Sequence, residues 1–141
     1  MVDQNGDFIA FCPFASRSAY ELWVLPIQHS SSFEKDLTDP VRVKSLASFL
    51  KACLQRVAKI SSILHFVIHT EPNLAARRLT KDWWNTVRED YHWHIELHPD
   101  VEGERRYLGS DGFYFNPIPA EEAALVLRAL EPDPGAAPSA V

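Results

Sequence analysis

The sequence is short of cysteine. It has 2 cysteines in 141 residues, Cys12 and Cys53, and both lie in apolar segments without a CxxC spacing. A zinc knuckle or a disulfide framework needs more thiols at regular spacing, so we expect two buried, reduced cysteines. Thiol chemistry is therefore not expected to be the function.

Excess positive charge is also lacking. The chain has 14 Lys and Arg residues against 19 Asp and Glu residues, and no basic stripe with interleaved aromatic side chains. Nucleic acid is therefore not an expected partner. No apolar run approaches the ~20 residues of a membrane span, and the beginning MVDQNGDF is too polar and acidic for a signal peptide. We expect a soluble, cytoplasmic protein without a membrane partner.

The chain does have enough apolar sequence for one core. It is 46% hydrophobic, and at this length that content predicts a single domain, which we place at residues 1–131. The remaining residues, 132–141, have too little apolar content to pack and are predicted to be disordered.

Hydrophobic periodicity predicts an α+β fold. A helical spacing of apolar residues over 41–60, with Asp39 as N-cap and Pro40 as first helical residue, predicts one long amphipathic helix. A C-terminal helix is predicted over 119–131. We expect an approximately five-stranded, mainly antiparallel sheet with the long helix packed on one face. The predicted strands, rich in aromatic and β-branched residues, are 7–14, 19–27, 63–72, 91–99 and 112–118.

Two of these strands alternate histidine with apolar residues. Because successive side chains point to opposite faces of a sheet, one face of each strand is predicted to join the core. If the two strands are neighbours, the other faces bring most of the histidines together; the plain alternative is a solvated sheet face. The predicted core side chains are Tyr91, Trp93, Ile95, Leu97, Phe66 and Ile68. Those on the opposite face are His92, His94, Glu96, His98, His65, Val67, His69 and Glu71.

Four motifs, in order, resemble the C-terminal half of galactose-1-phosphate uridylyltransferases: DFIAFCPFASRSAYELWVLPIQH, IHTEP, YHWHIELHP and GFYFNPIPAEEAALVLR. That family belongs to the histidine-triad superfamily and has two similar halves, so the resemblance implies a histidine-triad-like fold. The family's catalytic His-Pro-His-x-Gln motif and its zinc-binding cysteine pair lie in the first half, and neither occurs in this chain. The resemblance therefore implies a second-half module that is not catalytic alone.

The resemblance also implies a metal site. His92 and His94 match the family's His-x-His, and His69 matches a histidine from the preceding strand. The family's fourth ligand is a glutamate of the missing half, and Glu96 or Glu71 would take its place here. Imidazoles with one carboxylate suit zinc or ferrous iron. The predicted ligands are His69, His92, His94 and Glu96.

A stand-alone histidine-triad enzyme is the alternative. Such enzymes attack a nucleotide α-phosphate with the middle histidine of a His-φ-His-φ-His-φ-φ strand, which would make His94 the nucleophile and His92 its neighbour. The third position holds Glu96, a carboxylate that repels phosphate oxygens by ~1 kcal/mol at about 4 Å in water. The family's active motif has a glutamine there, which can donate a hydrogen bond. A metal site is therefore the favoured interpretation, and a metal-binding domain without a nucleotide role is a third possibility.

Further residues are expected to contact a ligand or a partner. Arg17, in the segment ASRSAYE, resembles the family's Ala-Ser-Arg and would meet a phosphate or form a structural ion pair. His29 is expected to form a loop hydrogen bond, and Trp83, Trp84 and Trp93 are expected in the core or an interface. The segment GSDGFYFNPIP resembles a substrate-binding stretch of the family, which implies contacts from Gly112, Phe113, Tyr114 and Asn116.

The resemblance implies partners as well. A sheet built to abut a second half exposes an edge and an apolar patch. We expect either a first-half uridylyltransferase chain or a second copy of this chain to cover them. A nucleotide sugar or a sugar phosphate would bind in the assembled site.

Overall fold

The computed structural model describes residues 1–73, 85–101, 106–108 and 113–133. The predicted tail beyond residue 133, together with Trp83, Trp84 and Gly112, lies outside these ranges. None of the helices in the described ranges is long and apolar enough to cross a bilayer. The strands are β1 (Asp3–Gln4), β2 (Phe8–Phe11), β3 (Leu22–Pro26), β4 (Leu64–His69), β5 (His94–Pro99), β6 (Arg106–Leu108) and β7 (Phe113–Phe115). The helices are α1 (Phe33–Asp36), α2 (Pro40–Ala58), α3 (Val87–Asp90) and α4 (Ala120–Ala129).

The main sheet has five strands in the order β1-β2-β3-β5-β4, and every neighbouring pair is antiparallel. This confirms the predicted α+β fold and the neighbouring positions of the two histidine-containing strands. The register places His94 opposite His69, and it places Glu96 between Val67 on β4 and Trp23 on β3. Cross-strand partners share a face, so these side chains lie together on one side of the sheet.

The fifth strand is not the one predicted. Segment 112–118 contributes β7, which pairs with β6 in a separate two-stranded sheet, and β1 completes the main sheet instead. The β1–β2 hairpin is set by its turn, because the Asn5 side-chain oxygen accepts hydrogen bonds from the Asp7 and Phe8 amides at 2.9 and 2.7 Å. Backbone pairing therefore makes a strand from residues that carry no apolar signal.

Helix α2 forms as predicted. Pro40 is its first residue, and the Asp39 side chain accepts a hydrogen bond from the Val41 amide at 3.0 Å. Its apolar face packs on β2 and β5 and buries Phe49 and Cys53. The core beneath it contains Phe8 and Trp93, both fully buried, with ring centroids 6.0 Å apart.

The alternation predicted for the two histidine strands holds for β5 and fails for β4. Trp93, Ile95 and Leu97 are at most 1% exposed, as predicted. Phe66 and Ile68 were predicted to be in the core, and this is wrong, since they are 43% and 41% exposed. The reason is position: β4 is the edge strand, whereas α2 packs nearer the middle of the sheet, on β2 and β5.

Both cysteines are free and buried, and burial raises the pKa of Cys12 to about 11 and that of Cys53 to about 12. Only the thiolate reacts with disulfide reagents, so we expect both thiols to be slow in the folded protein at neutral pH. Both should react fast in urea. A thiol titration with and without denaturant checks this, and fast reaction of either cysteine in the native state would contradict the packing.

Candidate functional site

A buried carboxylate, Glu96, lies at the centre of the histidine-rich face and is 4% exposed. Its Oε2 atom accepts a hydrogen bond from Arg17 Nη2 and lies 2.9 Å from His98 Nε2 and 3.5 Å from His69 Nε2. Its Oε1 atom lies 3.4 Å from His94 Nε2. We call these five residues the Glu96 cluster.

The Glu96 carboxyl group is held in its charged form. Burial by itself raises its pKa, but the hydrogen bond from His98 and the charges of Arg17 and His69 outweigh burial and leave the pKa below its ordinary value. Glu96 is therefore an anion at neutral pH, and the cluster is built to hold a negative charge away from water.

His94 turns a lone pair toward this anion. Its Nδ1 atom lies 3.1 Å from the backbone oxygen of His92, and a carbonyl only accepts hydrogen bonds, so Nδ1 carries the proton in the neutral ring. The ring is held between the indole of Trp23, at a centroid distance of 4.5 Å, and the ring of His69, at 4.7 Å. In that neutral form the lone pair of Nε2 faces the Glu96 carboxylate, an arrangement that favours a cation between them.

The ring nitrogen of His69 completes this arrangement. Nε2 of His69 is buried and has no hydrogen-bond partner among the described residues. One ligand atom from each of His69, His94 and Glu96 fits within a 4.8 Å spread. Two imidazoles and a carboxylate with a free position fit zinc, and also ferrous iron, so the residues present are compatible with the predicted metal.

His92 lies apart from this group. Its ring makes an edge contact with His29, at a centroid distance of 4.5 Å, and its Nδ1 atom is buried without a hydrogen-bond partner in the described ranges. Burial, and then the nearby His29, lowers the pKa of His92, which keeps the ring neutral. His29 Nε2 lies 2.6 Å from the backbone oxygen of Arg88, which is the loop hydrogen bond expected of it. His92 contributes its backbone oxygen to the site, through His94.

Glu71, the alternative carboxylate ligand, has other partners. It accepts a hydrogen bond from Ser31 Oγ at 2.6 Å and forms an ion pair with Lys35. The hydrogen bonds from Lys35 and Ser31 hold its pKa below the ordinary value of 4.5. The carboxylate that the sequence suggested as a metal ligand is therefore already bound by Ser31 and Lys35.

Glu71 should therefore support the fold only where it is ionised. A depressed carboxyl pKa contributes stability that is present above the ordinary value and is lost as the pH falls through the lowered one. We expect Glu71→Gln to be less stable than the wild type at neutral pH and equally stable at the acid end. Urea unfolding of both proteins across this range checks it, and a stability difference that is constant with pH would contradict it.

A second buried carboxylate, Glu21, shapes the loop that carries Arg17. Glu21 is 1% exposed; its Oε2 atom accepts the Arg17 amide at 2.5 Å, and its Oε1 atom accepts Trp23 Nε1 at 2.7 Å. Just before it, Tyr20 has a φ of 58°, a left-handed conformation unusual for a bulky residue. Sequence reasoning missed Glu21, and its only signal was a charged residue directly before the apolar strand β3.

Asn116 fixes the same loop from the other side. Its amide nitrogen donates to the backbone oxygens of Ser16 and Ser18 at 3.4 and 3.2 Å, and its oxygen accepts the Ile118 amide at 3.0 Å. The predicted ligand-contact residue therefore clamps the Arg17 loop. Phe113 and Tyr114, which were also predicted to contact a ligand, form part of β7, and their side chains lie outside the described part of the structure.

His98 joins the two buried carboxylates. Its Nε2 atom faces Glu96, while its Nδ1 atom lies 3.2 Å from Ser18 Oγ and 3.8 Å from Glu21 Oε2. Glu21 could lie in a second cation-binding group with Glu96 and His98. Because the oxygens of Glu21 already accept protein donors, we regard this group as the support of the Glu96 cluster.

The fold belongs to the histidine-triad class. A zinc-bound histidine triad family protein from Mycobacterium smegmatis superposes on 92% of this chain and 81% of its own, with a TM-score of 0.55 and 19% identity. At that identity the likeness shows the fold alone. No protein-family model matches the sequence.

Sequence similarity is to larger enzymes. ADP-glucose phosphorylase from Arabidopsis thaliana is 29% identical over 130 residues, which are 91% of this chain and 34% of that protein. Its crystal structure with bound ADP-glucose has a TM-score of 0.73 over 90% of this chain and 39% of that one. A uridylyltransferase structure, at 22% identity, covers 92% of this chain and 40% of its own with a TM-score of 0.69.

The chain is thus homologous to ADP-glucose phosphorylase and shares the fold of the uridylyltransferase, and it spans between 34% and 40% of their length. This confirms the resemblance seen in its motifs. The extent of the match is that of a half-length module with a histidine-triad-like fold.

Proposed function

We propose that this chain is the second-half module of a galactose-1-phosphate uridylyltransferase-like nucleotidyltransferase and that its Glu96 cluster holds one zinc or iron ion. One observation carries the metal: Nε2 of His94 lies 3.4 Å from the Glu96 carboxylate, beside the buried Nε2 of His69, which has no hydrogen-bond partner among the described residues. The ADP-glucose bound to the homologous phosphorylase supports a nucleotide sugar as the ligand.

In this proposal, His69, His94 and Glu96 would hold the ion, and the ion would cross-link β4 to β5. Arg17 and the segment around Asn116 would face a nucleotide sugar or sugar phosphate. The β4 edge, with Phe66, Val67 and Ile68 at least 39% exposed, would abut a first-half chain or a second copy. The module would supply the metal site and contacts, and the partner would supply the catalytic histidine.

Metal content and thermal stability test the metal site. We expect the purified protein to carry close to one equivalent of zinc or iron and to melt at a lower temperature after chelation. His69→Ala should abolish both effects. His65→Ala is the matched control, because His65 lies on the same strand, is exposed and is outside the Glu96 cluster. Less than about a tenth of an equivalent, with no effect of added metal on the melting temperature, would exclude the site.

A specific observation favours a second candidate, catalysis by His94. The hydrogen bond from Nδ1 to the His92 oxygen makes Nε2 the lone-pair nitrogen of the neutral ring, which is the form a histidine nucleophile needs. Incubation with UDP-glucose or with an AMP-amidate, followed by intact mass measurement, decides between the two. A nucleotidylated protein that is not formed by His94→Ala would replace the module proposal, whereas an unchanged mass would leave His94 as a ligand.

A further inference from the structure

Arg17 is bound to the carboxylate that the proposed metal ion would also bind, so the two cations would compete for Glu96. Its guanidinium donates to Glu96 Oε2, the oxygen that also faces His98 and His69. The Arg17 side chain is 56% exposed, whereas that of Glu96 is 6% exposed. Arg17 thus closes the solvent side of a buried anion while remaining open to water itself.

Simultaneous binding of the proposed metal ion and this guanidinium to the carboxylate is electrostatically unfavourable. Both are positive, and like charges a few ångströms apart in a partly buried site repel each other. Arginine does not lose its proton in proteins, so the repulsion is relieved by movement of the side chain and not by its deprotonation.

The backbone of the loop would not follow. Glu21 accepts the Arg17 amide at 2.5 Å, and Asn116 holds the backbone oxygens on either side, those of Ser16 and Ser18. A displaced guanidinium therefore stays at the mouth of the Glu96 cluster, held by a fixed main chain, with all its donors free. A guanidinium in this state is a preferred group for binding phosphate oxygens, often through two parallel hydrogen bonds.

We propose that Arg17 is a displaceable counter-ion of Glu96: a divalent cation at His69, His94 and Glu96 releases it, and the released guanidinium binds a phosphate-bearing ligand. This rests on the metal site proposed above. Each ligand then assists the other, because the cation frees Arg17 for the anion and the anion removes Arg17 from the carboxylate. The coupling must be equal in both directions.

Zinc titration calorimetry, with sulfate as the anion probe and chloride controls at matched ionic strength, measures this coupling. Without sulfate, Arg17→Gln should bind zinc roughly tenfold more tightly than the wild type, a usual size for coupling between sites. Sulfate should tighten zinc binding by the wild type and have no effect on Arg17→Gln. Arg17→Lys keeps the charge, so its zinc affinity should return toward the wild-type value.

Lys35→Gln is the matched control, because Lys35 is also an exposed cation paired with a nearly buried carboxylate, Glu71, outside the cluster. It should behave as the wild type does. Zinc binding by Arg17→Gln that is equal to or weaker than wild type, or a sulfate effect that survives in it, would overturn the counter-ion role and leave the metal site standing. No zinc binding by any variant, with or without sulfate, would overturn both; zinc binding by the wild type only with sulfate would support both.

Discussion

Replacing Arg56 by methionine is expected to lower the free energy of unfolding by about 3 kcal/mol. Arg56 lies in α2, is 7% exposed, and its Nη1 atom donates to the backbone oxygens of Leu127, Arg128 and Leu130 at 3.2, 3.1 and 2.6 Å. Its Nη2 atom donates to Asp3 at 3.2 Å. The last carbonyls of α4 have no partners within the helix, so this one side chain caps α4 and ties it to α2 and β1. Methionine fills the space but leaves these buried and part-buried oxygens without the guanidinium donor.

Urea unfolding followed by circular dichroism measures this loss. Lys59→Met is the control, because Lys59 contacts the same end of α4, through the Glu131 oxygen at 2.7 Å and Asp133 at 3.0 Å, but in an exposed position. It should cost less than about 1 kcal/mol. If Arg56→Met is as mild as Lys59→Met, the attachment of α4 does not depend on the buried guanidinium.

Glu96→Gln is expected to weaken zinc binding at least about a hundredfold while changing the fold little. The amide has the shape of the carboxylate and can still accept a hydrogen bond from His98. It has no negative charge to balance the ion between His69 and His94. The loss therefore appears in metal affinity rather than in secondary structure.

The tryptophan emission of the protein offers a direct measurement, since the Trp23 indole stacks on the His94 ring at 4.5 Å and should respond to metal binding. Glu71→Gln is the matched control, because Glu71 is held by Lys35 and Ser31 and should bind zinc as the wild type does. Equal zinc affinity in Glu96→Gln and the wild type would remove Glu96 from the ligand set.

Local signals predicted much of this fold. Asp39 and Pro40 predict the start of α2. The strict alternation of Trp93, Ile95 and Leu97 with polar residues identifies the core face of β5. Because the preceding strand carries the same alternation, the meeting of His69 and His94 could also be predicted. These features depend on short-range patterns, which a sequence displays directly.

Features that depend on remote partners could not be predicted. β1 is a strand only because the Asn5 turn folds it back on β2, and β7 has the composition of a core strand but pairs elsewhere. The apolar residues Phe66 and Ile68 fit a core pattern, yet their burial depends on where α2 lies. Arg56 resembles a solvated helix residue, and only the approach of α4 buries it.

The predicted ligand His92 lies apart from the Glu96 cluster for a simpler reason. The alternation was extended to residue 91, but β5 pairs with β4 only from His94 onward, and the Trp93 amide donates to Ser30 instead. Outside the paired region a period of two no longer fixes the face, so His92 turns toward His29. Strand ends are where such reasoning is weakest.

The interior position of β5, between β3 and β4, has a consequence for the synthesis of the chain. During synthesis β2, β3 and β4 emerge before β5, yet β5 must enter between β3 and β4. Each of these two strands presents an open edge to the other until then, and any pairing between them has to open again before β5 can enter. Arg17 and Glu96, separated by 79 positions, meet only after this insertion. Polypeptides ending before Pro99 would keep both edges unsatisfied and would be inclined to pair wrongly.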